Sequence, residues 1–301
     1  MGITSRQHPL AAAVGTRLVG ALLVAVAAAG CGQGAATAPS GPAAVRVTIT
    51  RDYGATTLRS ARAAPNQSAL NALRRVADVG TSYGGRFVQS IDGLGGDRSA
   101  GEDWLYFVNG ISPDVGAADI DLHAGDREWW DRRYWSDLVQ TPVAIGAWPE
   151  PFVHGYGGHR HQVSVGGLAC SSKLAAALRN AGAQVGGDGS YRVTVETFAQ
   201  AAGELGNWQG KGLTVSLDQG RVMVYRGPGG RVAMAAAHGL IAGYQPPGAP
   251  GDAVVVVVAG DTSATACAAA THLADDPSFV AGTYAVALDA NGNLLSAGGR
   301  Q

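Results

Sequence analysis

Apolar and polar residues alternate strictly at the start of the ordered pattern. Val45 to Thr50 (V-R-V-T-I-T) carries β-branched residues at every second position, the period of a strand with one buried face. Asp52-Tyr53-Gly54 is turn chemistry, and Ala55 to Ser60 returns as a second strand. The period then changes. Leu70, Leu73, Val76 and Ala77 fall on one stripe of a helix that Asn66 or Ser68 caps and Gly80 ends. Strand patterns resume over Tyr83–Ile91, Trp104–Asn109, Ile120–Leu122 and Glu128–Trp135, punctuated by the glycine-rich loop Asp92–Gly101, an Asn-Gly turn and a Gly-Asp turn. The order strand, strand, helix, strands predicts an α+β domain over residues 45–138, one helix packed on a mixed sheet, as in ubiquitin-like β-grasp folds.

Residues 139–301 read as a small α/β domain. Thr141–Trp148 is a predicted strand ended by Pro149-Glu150-Pro151, followed by strand Gln162–Val165, helix Ser171–Ala181 and strand Tyr191–Thr197. Leu213–Leu217 and Arg221–Tyr225 form a hairpin around Asp218-Gln219-Gly220. Asp252–Ala259 contains five consecutive valines, a strand covered on both faces. Helix Thr262–Leu273 and strand Thr283–Leu288 complete a second β-α-β half related to the first.

The first residues obey a different logic. Arg6 and Arg17 precede the apolar segment Leu18–Ala29, and Ala28-Ala29-Gly30 leads into Cys31. A basic region, a short apolar core and small residues describe an export signal over residues 1–30, too short to span a bilayer. Cysteine directly after them resembles a bacterial lipobox, which implies a lipidated Cys31 at the head of the mature chain. Residues 31–44, small and proline-containing, read as a flexible tether. The expected location is therefore the extracytoplasmic face of a bacterial cell membrane, with the membrane as a partner through Cys31.

Charge narrows the partners. Without residues 1–30, which hold Arg6 and Arg17 and no acid, 20 basic side chains face 23 acidic ones, a balance of −3 that argues against nucleic acid. Three cysteines less Cys31 leave Cys170 and Cys267, a disulfide pair in an exported chain.

The candidate chemistry is sparse. His154, His159 and His161 share a glycine-rich loop without the spacing of a metal site. Gly206–Gly212 (G-N-W-Q-G-K-G) lacks the spacing and the terminal hydroxyl of a phosphate loop. Asp119 and Asp121 fall on one strand face opposite Ile120 and Leu122, where paired carboxylates would suit a hydrolase-like enzyme or, more simply, a solvated face. The aromatic density is what demands an account: Trp104, Trp129, Trp130 and Trp135 are four of six tryptophans in a chain 7% aromatic. Alternation places Trp104, Tyr106 and Val108 on one face and Leu105 and Phe107 on the other, with Trp129 and Trp130 opposed. One set fills a core; the other meets a ligand or another part of the chain.

The ordered motifs S-A-L-N-A-L, F-V-Q-S-I-D-G, W-L-Y-F-V-N-G, G-A-A-D-I-D-L-H-A-G-D and E-W-W-D resemble the transcobalamin-like C-terminal domain family across about residues 45–136. That resemblance implies a β-grasp domain in a surface protein, and brings cobalamin as the one cofactor it suggests; the large helical domain of the vitamin carriers has no counterpart here. The sequence thus leads to a non-catalytic binding or envelope module. Its expected contact residues are Trp104, Tyr106, Asn109, Trp129, Trp130 and Trp135, and its partner is a small ligand or an envelope protein.

Overall fold

The computed structural model describes residues 44–300 apart from Arg86, Val139 and Asp188. The export signal, Cys31 and all of the tether but Ala44 lie outside the described residues. The architecture is mixed α+β, mostly strands in several sheets.

The first layer holds β1 (Val45–Arg51), β2 (Thr56–Ala63), α1 (Ala69–Val76), β3 (Val79–Ser82), β4 (Phe87–Ile91), β5 (Glu102–Val108) and β6 (Arg127–Tyr134). Four strands form one sheet in the order β2-β1-β6-β5, with β1 and β6 parallel and the outer pairs antiparallel. Val45, Val47 and Ile49 point to the side that α1 covers, where Leu70, Leu73, Trp104, Val108 and Trp130 complete a core. The Ser68 side chain accepts the Asn71 N–H and caps α1. The helix ends at Ala77, short of the expected Gly80, because Val79–Ser82 is drawn into the β3–β4 hairpin. Within the expected strand Tyr83–Ile91, Tyr83–Gly85 is a 3-10 turn and extended pairing begins at Phe87.

The second layer comprises β7 (Val163–Gly167), α2 (Ser171–Asn180), β8 (Tyr191–Thr197), α3 (Phe198–Leu205), β9 (Val215–Asp218), β10 (Arg221–Tyr225), β11 (Arg231–Ala233), β12 (Gly239–Tyr244), β13 (Val254–Gly260), α4 (Ser263–Asp275), β14 (Ala285–Leu288) and β15 (Leu294–Ala297). Six strands run β7-β8-β13-β12-β14-β15, and β9-β10-β11 form a separate small sheet. The valine run is covered on both faces: Val254, Val256 and Val258 pack with Leu174, Leu178 and Ala266, whereas Val255 and Val257 pack with Phe198, Leu205 and Val215. Cys170 and Cys267 are disulfide-bonded, with Cα atoms 5.6 Å apart, and tie the start of α2 to α4.

Two expectations fail here. Thr141–Trp148 is not a strand; Val143 makes a single bridge to Ile111, and Ile145–Ala147 is a 3-10 turn. Pro142 inside the segment and Pro149 directly after it have no N–H for a ladder. The β-α-β halves are also not equivalent. β7 and β8 are adjacent and parallel, but β12 is inserted between β13 and β14 and runs antiparallel to both.

The two layers share a core of Tyr53, Phe107, Trp129, Leu138, Ala144, Tyr225 and Tyr284. Their backbones approach so closely at Gly54, φ +73°, that a Cβ there would strike the Gly282 carbonyl. Arg300 fixes the contact by donating to the carbonyls of Tyr53, Gly54 and Gly282.

Candidate functional site

Strand alternation divides the aromatic stretch as the sequence suggested, and both halves meet protein. Trp104 and Trp130 lie under α1, 5% and 2% exposed, and Tyr106 stacks on Trp130 with ring centroids 4.8 Å apart. Trp129 and Phe107 face the second layer, where Tyr284 packs edge-on to Phe107 and 4.9 Å from Trp129. Asn109 is fully buried, its side-chain amide donating to Asp126 and to the Gly155 carbonyl. Of the six expected contact residues, only Tyr106 and Trp135 are half-buried, and Tyr106 spends its hydroxyl on the Val115 carbonyl.

Polar groups are buried with these rings. Glu128, 1% exposed, accepts the Trp130 indole N–H at 2.6 Å, while its second carboxylate oxygen has no partner. Burial pushes its carboxyl up to about 8, with the indole bond pulling the other way, so it is protonated at neutral pH. On the opposite face Asp131 accepts from Thr50, Gly54 and Tyr284. Arg133, 1% exposed, donates to the Leu138 carbonyl and Thr141 and lies over the Tyr53 and Tyr284 rings. This network joins the layers.

The remaining sequence candidates are scattered. Asp119 and Asp121 are exposed, with Ile120 and Leu122 buried opposite. His154 pairs with Glu150 and His161 with Asp252; no cluster of three metal-ligating side chains occurs among the described residues.

What the sequence did not reveal is a groove on the sheet face turned toward the second layer. Two adjoining cavities, of about 240 and 430 Å³, share Arg46 and Arg127. Register explains the lining. Arg62 of β2 lies opposite Arg46 of β1, which lies beside Arg127 of β6, so three arginines form one rung across three strands. The next rung on the same face is Ser60, Thr48 and Trp129, and Thr57 and Thr50 follow. The far wall is Gly146, Ala147, Ala281 and Gly282, and at the arginine end stand Glu150 and His154.

Like charges directly opposite one another in a sheet are destabilising. Among the described residues no carboxylate lies within ion-pair distance of Arg46, Arg62 or Arg127. Burial holds Arg127 below its ordinary value; Glu150 pulls it up and neighbouring Arg46 pushes it down. Glu150 is almost wholly buried and engages His154 through both oxygens, at 2.6 and 2.9 Å. That hydrogen bond raises the imidazole above its ordinary value. A larger cavity of about 530 Å³ at the opposite end of the sheet, lined by Tyr53, Tyr134, Asp52 and Glu102, differs in charge balance. There Asp52 and Glu102 are paired with Arg51 at 3.4 Å and Arg132 at 2.6 Å.

Residues 66–133 match the model of a domain of unknown function (DUF4430). The match falls wholly within the first layer. Among solved structures, the crystal structure of a candidate metal-binding protein from Ruminococcus gnavus is similar at 17% identity and a TM-score of 0.26, over 30% of this chain and 96% of that one. No curated protein matches.

Proposed function

We propose that the protein is a lipid-anchored, non-catalytic binding module on the extracytoplasmic face of a bacterial cell membrane. The observation that carries the binding role is the groove between the layers, walled by an arginine rung and a row of hydroxyls. The aromatic residues of that region serve this reading as scaffold, since Trp104, Trp129 and Trp130 are buried and hold the sheet that presents the rung. The exported state accords with the Cys170–Cys267 disulfide. The strand order β2-β1-β6-β5, with its central parallel pair, supports a β-grasp assignment and the transcobalamin-like resemblance. In this reading residues 1–30 are the signal, 31–44 the tether, 45–138 the β-grasp domain and 139–301 the α/β domain that completes the groove. Cobalamin is the second occupant to consider, from the resemblance; arginines and hydroxyls suit an anion better than the face of a macrocycle.

Two measurements test the reading. A Cys31→Ala protein should leave the membrane fraction, and retention there contradicts the anchor. Ser60→Cys, exposed on the groove wall, carries an environment-sensitive fluorophore and is titrated with sugars, peptides, nucleotides, inorganic anions and cobalamin. Saturable response to one class supports a binding module, and silence across the panel overturns it.

A further inference from the structure

We infer that the arginine rung is a phosphate site: Arg46, Arg62 and Arg127 hold the phosphoryl group of a small polar ligand whose hydroxylated body lies along Thr48, Thr57 and Ser60. The inference rests on the binding-module reading and assigns its ligand class. Charge gives the first argument. Three guanidiniums oppose one carboxylate, Glu150, at this end of the groove. The two positive charges left over match a phosphate monoester, which carries about −1.5 to −2 at neutral pH. His154, beside the same cavity, adds to the positive side when protonated.

Geometry gives the second. Residues in one rung of adjacent strands stand about 5 Å apart, so the three side chains reach a common point above the sheet. Guanidinium groups present paired N–H donors that fit phosphate oxygens bidentately. Arg46 and Arg62 are exposed, and neither makes a hydrogen bond or ion pair to a described side chain, so their donors remain available. Arg127 is half-buried, and one of its terminal nitrogens donates to the Trp148 carbonyl at 3.3 Å. That bond holds it against the wall of the groove.

The contrast with the opposite end of the sheet gives the third. Arg51 and Arg132 there have intramolecular carboxylate partners, so a ligand is not needed to balance them. At the Arg46 end, unlike the facing Arg51 and Arg132, the like charges set opposite one another have no ion-pair partner among the described residues. Beyond the rung, the smaller of the two cavities offers Thr48, Thr57 and Ser60 along its floor, hydrogen-bonding groups suited to a hydroxylated body. Such a ligand is either a soluble phosphate ester or the headgroup of a phospholipid, and the same assay separates the two.

The full-length protein in detergent is titrated with inorganic phosphate by calorimetry and by thermal melting, beside Arg46→Gln, Arg62→Gln and a control, Arg75→Gln, on the exposed side of α1. The wild type and the control should bind saturably and melt higher with phosphate. Each rung variant should bind about tenfold or more weakly, the loss of a charge-assisted contact. Without phosphate the rung variants should melt at or above the wild type, because repulsion is relieved. Competition with short-chain phosphatidylglycerol and phosphatidylcholine, each below its micelle concentration, then names the source. Displacement by the former alone assigns a lipid headgroup; displacement by neither assigns a soluble ester. Wild-type affinity in both rung variants, or no saturable binding in the wild type, overturns the inference. If the Ser60→Cys label still responds to another ligand class, the phosphate assignment alone has failed; if it responds to none, the binding module has failed with it.

Discussion

Glu128→Gln should make the protein more stable at neutral pH, and the difference should reverse in acid. Glu128 lies between Val47 and Val108 in register, under α1, with one oxygen bonded to the Trp130 indole and the other unpartnered. Its carboxyl titrates near 8 in the fold against 4.5 for an ordinary glutamate. A raised acid binds its proton more tightly when folded. Its contribution is fully present below pH 4.5 and is lost as pH rises toward 8, at about 1.4 kcal/mol per pH unit. At pH 7 the loss is roughly 3 kcal/mol. Glutamine keeps the acceptor for Trp130 and does not titrate, but its amide brings donors that the site leaves unpaired, an offset of about 1 to 2 kcal/mol. The net gain at pH 7 is therefore about 1 to 2 kcal/mol. Urea midpoints from pH 4.5 to 8.5, followed by tryptophan fluorescence, measure it. Subtracting wild type from variant cancels every other titrating group. A difference that grows with pH and levels off near 8 supports the reasoning, whereas a pH-independent offset refutes it.

Three further outcomes follow from the packing. Trp130→Ala removes a fully covered ring stacked on Tyr106 and should cost about 3–5 kcal/mol in chemical denaturation; a loss under 1 kcal/mol would mean the ring is not core. Replacing Cys170 and Cys267 together by alanine opens a 97-residue separation and should lower stability by about 4 kcal/mol, with the variant's melt insensitive to reductant. Arg133→Met leaves the Leu138 carbonyl and Thr141 without a donor and Asp131 without its nearby cation, a loss of about 3 kcal/mol. An unchanged melting temperature would show that the network does not join the layers.

The residues that make strands and helices were largely readable in order. V-R-V-T-I-T, Y-R-V-T-V-E-T and the valine run have short-range patterns that survive in the fold, and Ser68 caps α1 as its hydroxyl suggests. The cysteine pair was legible as the two thiols left once Cys31 is set aside in a chain expected to be exported. Failures came where tertiary pairing overrules local pattern. Gly80 was read as a helix stop, but it pairs in β3. Val143 and Ile145 had strand propensity, but the flanking prolines left them to serve as packing against the second layer. Helix α3 and strand β12 lie outside the elements expected from the sequence, although Thr197 and Gln200 form a capping box at the start of α3.

The groove was least legible. Arg46 looked like the polar half of an alternating strand, Arg62 lay beyond the expected end of β2, and Arg127 stands between Asp126 and Glu128 in the chain. Only register brings the three into one rung, and register between β1 and β6 spans some eighty residues of chain. The tryptophans were legible as a cluster, yet which side was covered depended on Tyr284 and Tyr225, whose approach no local pattern encodes.

Arginine side-chain NMR of the full-length protein, with the Nε–Hε resonances assigned by substitution and followed through a phosphate titration, tests the groove most directly. The account predicts saturable shifts at Arg46, Arg62 and Arg127 and none at Arg51 or Arg132, whose carboxylate partners already occupy them. Shifts confined to Arg51 and Arg132, or none that saturate, would contradict it.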